Sequence, residues 1–136
     1  MDLTKSLKVS SSGMQSQSMR LRVIAENLAN AQSTAQTPGG DPYRRKVVSF
    51  ANELDRAAGV EKVKVDRVDR DYSDFERRYD PGHPAADKDG YVLLPNVKPM
   101  IEMMDMREAQ RSYEANMNAM TAARAMLMRT IDMLRG

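Results

Sequence analysis

The chain is 136 residues long, and its 21 lysine and arginine residues against 19 aspartate and glutamate residues leave a formal net charge of +2. So small an imbalance does not create the basic field on which nucleic-acid binding depends. The sequence has no cysteine and one histidine, which excludes structural disulfides and thiolate zinc sites. No run of residues approaches the roughly 18 apolar positions of a membrane span, and none resembles a cleaved signal peptide. We therefore expect neither a nucleic-acid partner nor direct membrane insertion.

The first predicted element is a long helix at the N-terminal end. Positions spaced alternately four and three residues apart form a heptad seam from Leu3 to Ala31, and this seam is apolar apart from two polar interruptions. Gly13 and the serines before it have low helix propensity. We therefore expect a firm helix from Met14 onward and a weaker one before it.

The middle of the chain, residues 32–99, is predicted to be a small, mainly β insert. The turn formers between Thr37 and Pro42 end the first helix. Strands are predicted where β-branched and aromatic residues accumulate, at residues 45–50, 60–68 and 91–94.

Three local features are predicted within this insert. Residues 52–58 are expected to form a short helix that Gly59 caps in a left-handed conformation. A register break is expected in the second strand near Asp66 and Arg67. The run from Tyr79 to Pro84 is expected to be a turn.

A second long helix is predicted from about Met100 to Arg135. Pro99 suits a first helical turn, no later proline or glycine precedes Arg135, and apolar residues again recur at heptad spacing. Nine of the twelve methionines lie at or beyond Met100, on several faces of the helix. Methionine is typical of adaptable binding surfaces, which favours contact with more than one neighbour over a single core-facing stripe.

These elements predict an α+β fold with a discontinuous helical assembly domain, residues 1–31 and 100–136, around the insert of residues 32–99. A helix with an apolar stripe must bury that stripe. The two terminal helices can cover part of each other in a coiled-coil-like layer, and the seams continue beyond the reach of the insert, so partner subunits are expected. Periodicity alone fits an ordinary helical hairpin packed on its own sheet equally well.

Side chains that support catalysis or metal binding are sparse. His83 lies in a turn and has no second histidine or cysteine to complete a zinc set. The acidic run that ends at Gly90 lacks the spacing of a calcium loop. Short basic patches such as Tyr43–Lys46 are offset by nearby acids. We therefore predict no catalytic, cofactor-binding or metal-binding residues, which disfavours a small enzyme or a metal-binding module.

Several segments resemble the flagellar rod and hook axial proteins of bacteria. The run Glu26–Ala31 resembles the signature that closes the first helix of that family. The runs Pro42–Lys46 and Tyr79–Pro84 are similar to its basal-body rod branch, and Arg111–Asn116 resembles a motif shared among axial proteins. The resemblance covers nearly the whole chain in the correct order.

The resemblance implies a structural subunit of the proximal rod of the flagellar basal body, which crosses the periplasm and transmits torque. It implies export by the flagellar type III apparatus without a cleaved signal peptide, terminal helices around the central export channel, and no enzymatic activity or cofactor. The expected partners are other copies of the chain and neighbouring rod proteins. The alternative is a helical needle or filament subunit of another type III secretion system, which the insert motifs disfavour.

Residues on both helices are expected to form the assembly interface. Asn30 is a candidate to cap the end of the first helix. Tyr113 and Asn116 share one face of the second helix, where Asn116 either specifies register as a polar seam residue or faces solvent. The full predicted set is Leu21, Ile24, Asn27, Leu28, Asn30, Tyr113, Asn116, Met117, Met120, Leu127, Ile131 and Leu134.

Overall fold

The computed structural model describes residues 2–136. In chain order the elements are helix α1 (Leu3–Ala29), strands β1 (Lys46–Asp55), β2 (Val60–Arg70), β3 (Glu76–Tyr79) and β4 (Tyr91–Leu94), and helix α2 (Pro99–Arg135). Two long terminal helices thus flank a small β insert, which confirms the predicted α+β fold.

The chain forms two compact units, which are described separately below. Unit 1 comprises the residues up to 21 together with residues 49–67 and 107–136, and unit 2 comprises residues 22–48 and 68–106. Each unit combines helical residues with residues of the β insert. The division into a helical assembly domain and an insert, at the boundaries given above, stays a prediction.

Helix α1 is regular from its first turn, including the serine run and Gly13. The Asp2 carboxylate caps its start, because Oδ1 accepts hydrogen bonds from the backbone N–H groups of Thr4 at 3.0 Å and Lys5 at 3.3 Å. Ser16 is buried, and its hydroxyl donates to the carbonyl of Val63 at 3.1 Å. Tertiary contacts of this kind outweigh the weak helix propensity of the segment.

Strands β1 and β2 form a two-stranded sheet. A connection of only four residues requires them to be antiparallel. At the connection Gly59 has φ 64° and donates its N–H to the carbonyl of Asp55 at 2.7 Å, so the predicted left-handed conformation at Gly59 is confirmed.

The helix predicted at residues 52–58 is wrong. Strand β1 continues to Asp55, and ion pairs join Asp55 to Lys62 at 3.0 Å and Glu53 to Lys64 at 3.2 Å across the hairpin. The local helical preference of this segment yields to pairing with β2, since strand formation depends on cross-strand neighbours more than on intrinsic propensity.

Strand β3 was not predicted, and it pairs antiparallel with β4 from Glu76 opposite Leu94 to Tyr79 opposite Tyr91. All four residues of β3 are exposed, so the strand has no alternation of apolar and polar residues that could reveal it. The predicted strand at residues 91–94 is confirmed as β4. The turn predicted over Tyr79–Pro84 is present, and the His83 N–H closes it by donating to the Asp80 carbonyl at 3.1 Å.

The buried side chains are few and mostly small. Unit 1 buries two alanines of α2, Ala109 and Ala123, together with serines of α1, whereas unit 2 buries mainly Val23, Ile24, Val92 and Val97. Within residues 2–136, neither helix combines the length and the apolar character needed to cross a membrane.

Candidate assembly interface and the polar cluster beside it

The Asn27 side chain in unit 2 makes four hydrogen bonds. Its Oδ1 accepts hydrogen bonds from the Lys46 N–H at 2.9 Å and from the Tyr43 hydroxyl at 2.8 Å. Its Nδ2 donates to the Lys46 carbonyl at 2.9 Å and to Glu102 Oε2 at 3.2 Å. The residue is 1% exposed, so the whole hydrogen-bonding capacity of this amide is used inside one copy of the chain.

Glu102 of α2 is 0% exposed and is the largest fully buried side chain. Its Oε1 pairs with Nε of Arg45, whose other nitrogens lie 3.7 Å from Asp71 Oδ2 and 3.5 Å from Asp105 Oδ2. Burial lowers the pKa of Arg45, but the hydrogen bond and the negative charge of Glu102 outweigh burial, so the pKa is raised. The buried carboxylate is thus paired and hydrogen-bonded, which is the condition for burying a charge at tolerable cost.

The segment that carries Arg45 is held in place by Asn96. Asn96 Oδ1 accepts the Arg45 N–H at 2.8 Å, while its Nδ2 donates to the Asp71 carbonyl at 2.8 Å and to the Ser73 hydroxyl at 3.0 Å. The backbone N–H and the hydroxyl of Ser73 stabilise the charged Asp71 carboxylate, and its pKa is lowered. The backbone position from which Arg45 reaches Glu102 is therefore fixed by hydrogen bonding.

Tyr43 completes the cluster on the other side of Asn27. Burial, reinforced by the negative charges of Glu26 and Glu102, raises the pKa of Tyr43 to about 12. The hydroxyl is therefore neutral and able to donate to Asn27 throughout the physiological range. Nearby, the Lys46 ammonium pairs with the Glu26 carboxylate at the surface of α1.

We use the name polar cluster for Asn27, Tyr43, Arg45 and Glu102. These residues join the last turns of α1, the entry to β1 and the first turns of α2. Asn27 belongs to the predicted assembly interface, whereas no role was predicted for Arg45 or Glu102. The available signal was the acidic residue of the apolar run Met100–Met104, because a carboxylate among apolar neighbours is buried only with a partner.

The other predicted interface residues of α1 are buried or half-buried within the single chain. Ile24 is buried, whereas Leu21 and Leu28 are half-buried. Asn30 is also half-buried, and its Nδ2 donates to the Glu26 carbonyl at 2.9 Å. It therefore satisfies a helix-end carbonyl, as the capping role requires. The assembly roles of all these residues stay predictions.

The predicted residues of α2 divide by exposure. Tyr113, Asn116, Met120 and Leu127 are half-buried. Asn116 Nδ2 donates to the Ser112 carbonyl at 2.9 Å, and the Asn116 side chain lies over Gly13 of α1. Three further residues of the predicted set are exposed, and they are Met117, Ile131 and Leu134. The structure thus brings Asn116 against α1 within unit 1 and leaves the last turns of α2 uncovered.

Metal-binding chemistry finds no support in the described part of the chain. Residues 2–136 contain no group of three or more histidine, aspartate or glutamate side chains placed to hold a metal ion. His83 accepts a hydrogen bond from the Ala85 N–H through Nδ1 at 3.0 Å, which is a local role within its turn.

Comparison with known proteins identifies relatives over the whole chain. Residues 88–133 match the family model described as the C-terminal region of the flagellar basal body rod FlgEFG proteins. The flagellar basal-body rod protein FlgC of Agrobacterium fabrum is 53% identical over 133 residues, which cover 98% of this chain and 96% of the relative.

More distant relatives carry the same name. The flagellar basal-body rod protein FlgC of Bacillus subtilis is 39% identical over 142 residues, covering 93% of this chain and 95% of the relative. The protein of that name from Escherichia coli O6:H1 is 38% identical over 133 residues and covers 98% of both chains. Similarity at these lengths includes both helices and the insert.

Proposed function

The chain belongs to the FlgC family of flagellar basal-body rod proteins and is a structural subunit of that rod, and we propose that it assembles through its terminal helices around the export channel. The observation that carries this proposal is the uncovered apolar end of α2. Met133 and Leu134 are 75% and 83% exposed, and Met126, Met128 and Ile131 are exposed beside them. Large apolar side chains left exposed in such number on one helix end mark an interaction site.

Burial of this surface would supply the energy for association. Covering an exposed leucine, isoleucine or methionine side chain contributes about 1.5–3 kcal/mol. Several such side chains on one helix end can therefore offset the entropy lost when a subunit is immobilised. Methionines allow the surface to adapt to neighbours of different shape, which supports contact with other copies of the chain as well as with different rod proteins.

The remaining parts of the proposal rest on family membership. We expect the protein to reach the rod through the flagellar type III export apparatus without cleavage of a leader, and to transmit torque without catalysing a reaction. The insert, residues 32–99, is expected to lie outside the helical layer. The alternative of a needle or filament subunit in another type III secretion system is disfavoured, because the relatives named above are flagellar rod proteins.

The proposal is tested by Ile131→Asp and Leu134→Asp, with Asn118→Asp as a matched control on the same helix. Each variant adds one negative charge. All three residues are exposed, so each substitution should change the free energy of unfolding of the monomer by no more than about 0.5 kcal/mol. We expect the two apolar-site variants to be exported but absent from rods in purified basal bodies, whereas the control restores rods and motility in cells that lack the native protein. Normal rods built from both apolar-site variants would overturn the proposal.

A further inference from the structure

We propose that Asn27 and Glu102 form a register lock, which fixes the register of α1 against α2 within unit 2 of each subunit. Asn27 is then a positioning residue that acts inside its own chain. The consequence for rods rests on the proposed function, because it requires the terminal helices to be the assembly elements. The lock itself is a property of the single chain and can be measured without assembly.

The lock is specific because both partners are buried. Asn27 is 1% exposed, Glu102 is 0% exposed, and the Asn27 amide donates directly to the Glu102 carboxylate at 3.2 Å. A shift of α1 by one residue would turn its side chains by about 100° and move them by about 1.5 Å. The amide and the carboxylate would then be buried without each other, and unpaired buried polar groups are strongly disfavoured.

The apolar neighbours cannot supply this specificity. Val23 and Ile24 are the buried aliphatic residues of α1 in unit 2, and hydrophobic contact is non-directional. Helix faces rich in such residues tolerate alternative registers, and a single buried asparagine is a well-attested means of selecting one of them. Asn27 has the required chemistry, because a defined acceptor on α2 faces its amide.

The same amide also fixes the entry to β1. It accepts the N–H of Lys46 and donates to the carbonyl of Lys46, both at 2.9 Å, as a neighbouring strand would. An aspartate at this position could accept but not donate, and a glutamine would place its amide one methylene further from the backbone. The lock therefore sets three elements at once, α1, β1 and α2.

Glu102 is held in its position independently of Asn27. Its second carboxylate oxygen pairs with Arg45 Nε, and the backbone N–H of Arg45 is held by Asn96 at 2.8 Å. The acceptor that Asn27 requires is thus also held by contacts that do not involve α1. This arrangement explains why a carboxylate occupies a fully buried position on α2.

A double-mutant cycle on the full-length monomer tests the lock. Asn27→Asp brings two carboxylates together, and Glu102→Gln removes the charge that pairs with Arg45. The double variant Asn27→Asp/Glu102→Gln keeps the net charge and restores a donor–acceptor pair with its direction reversed. We expect the unfolding equilibrium constant to rise at least about tenfold in each single variant. In the double variant the increase in this constant should be about tenfold smaller than the product of the two single increases.

Hydrogen exchange of the Lys46 amide gives a second readout at the same site, because that N–H donates to Asn27. Exchange should be faster in both single variants and slower again in the double variant. The control is Asn118→Asp, the same substitution at an exposed position of α2 outside the polar cluster. It should leave exchange at Lys46 unchanged.

Rod assembly in purified basal bodies then distinguishes a positioning role of Asn27 from a direct contact between Asn27 and a neighbouring subunit. We expect fewer rods in each single variant than in the double variant, which regains the pair between positions 27 and 102 but not the hydrogen bond to the Lys46 carbonyl. If Asn27→Asp abolishes rods while the stability and Lys46 exchange of the monomer are unchanged, Asn27 contacts a neighbour and the lock is overturned. The lock is also overturned if the two single increases in the unfolding equilibrium constant simply multiply in the double variant. Normal rods in both single variants and in the double variant overturn it as well. Failure of the proposed function is recognised separately, by normal rods in Ile131→Asp and Leu134→Asp.

Discussion

The backbone of Gly13 on α1 lies directly under the side-chain amide of Asn116 on α2. A Cβ atom at Gly13 would lie 2.8 Å from Asn116 Oδ1 and 2.9 Å from Asn116 Nδ2, closer than Cβ atoms in folded proteins approach other heavy atoms. Gly13, which weakens helix propensity, is therefore in direct contact with Asn116 of the axial-protein motif. Along the sequence Gly13 precedes Asn27 by fourteen residues, and Glu102 precedes Asn116 by the same two heptads.

Gly13→Ala is expected to destabilise the protein despite its gain in helix propensity. Alanine favours a helix over glycine by about 1 kcal/mol. The added methyl group, however, must displace the Asn116 side chain from its hydrogen bond to Ser112, and overpacking typically costs 1–3 kcal/mol. Thermal unfolding of the isolated protein should show a lower midpoint for Gly13→Ala than for the parent chain.

The matched control for this prediction is the same substitution in an Asn116→Ala background. With the amide removed, the methyl group finds space, and Gly13→Ala should stabilise the protein by about 1 kcal/mol. The sign of the effect therefore reverses between the two backgrounds. Stabilisation of similar size in both would mean that the contact between Gly13 and Asn116 imposes no constraint.

Alkaline pH is expected to weaken the fold through Tyr43. Its pKa is raised from 10.0 to about 12, first by burial and then by the charges of Glu26 and Glu102. The unfolded chain therefore releases this proton near pH 10 and the folded chain only near pH 12, so the stability contributed by the neutral hydroxyl is complete below pH 10 and is lost progressively above it. The unfolding midpoint should fall across this interval.

Tyr43→Phe isolates this effect from the titration of lysines and other tyrosines. The variant loses the hydrogen bond to Asn27, which costs about 1 kcal/mol at neutral pH. It should also show a shallower decline of the unfolding midpoint between pH 10 and 12 than the parent chain. Parallel pH profiles for the two proteins would contradict the raised pKa of Tyr43.

Substitution at the tip of the β1–β2 hairpin should depend on backbone conformation rather than on space. Gly59 has φ 64°, and a side chain in this region costs about 1–2 kcal/mol. Gly59→Ala should therefore lower the unfolding midpoint. Gly82→Ala is the matched control, since its Cβ would meet nothing closer than Asp80 Oδ1 at 4.0 Å and its φ is ordinary. Equal losses in the two variants would refute the conformational explanation.

The two long helices could be predicted from the sequence because their signal is local and repeated. Heptad spacing and the position of Pro99 predicted a start for α2 at about Met100, within one residue of the observed start at Pro99. Gly59 was likewise predicted correctly, since its left-handed conformation is a property of one residue. These features depend on neighbours in the chain and require no knowledge of tertiary contacts.

The missed features depend on residues that are distant in sequence. Strand β3 is wholly exposed, so only its pairing with β4 identifies it. The polar cluster joins Asn27 to Glu102 across 75 positions, and each residue taken alone resembles an ordinary surface residue. The false helix at residues 52–58 has the same origin, because cross-strand partners override local propensity there.

Hydrogen exchange along α2 is expected to divide the helix at about Leu127 in the isolated protein. All residues from Met128 to Gly136 are exposed, whereas Ala109 is 0% exposed in unit 1. Helix ends without tertiary contacts open by local unfolding with little free-energy cost. Amides beyond Met128 should therefore exchange rapidly in a confirmed monomer, and amides near Ala109 should be protected.

Assembly should remove this difference in exchange rate if the end of α2 is an interaction surface. In intact basal bodies the amides beyond Met128 should gain protection, since partner subunits would cover Ile131, Met133 and Leu134. The amides near Ala109 serve as the internal reference, because they are already buried in the single chain. Uniform protection along α2 in the monomer would argue that the helix end is stable without partners. Rapid exchange beyond Met128 in assembled rods would place the contact between subunits elsewhere on the chain.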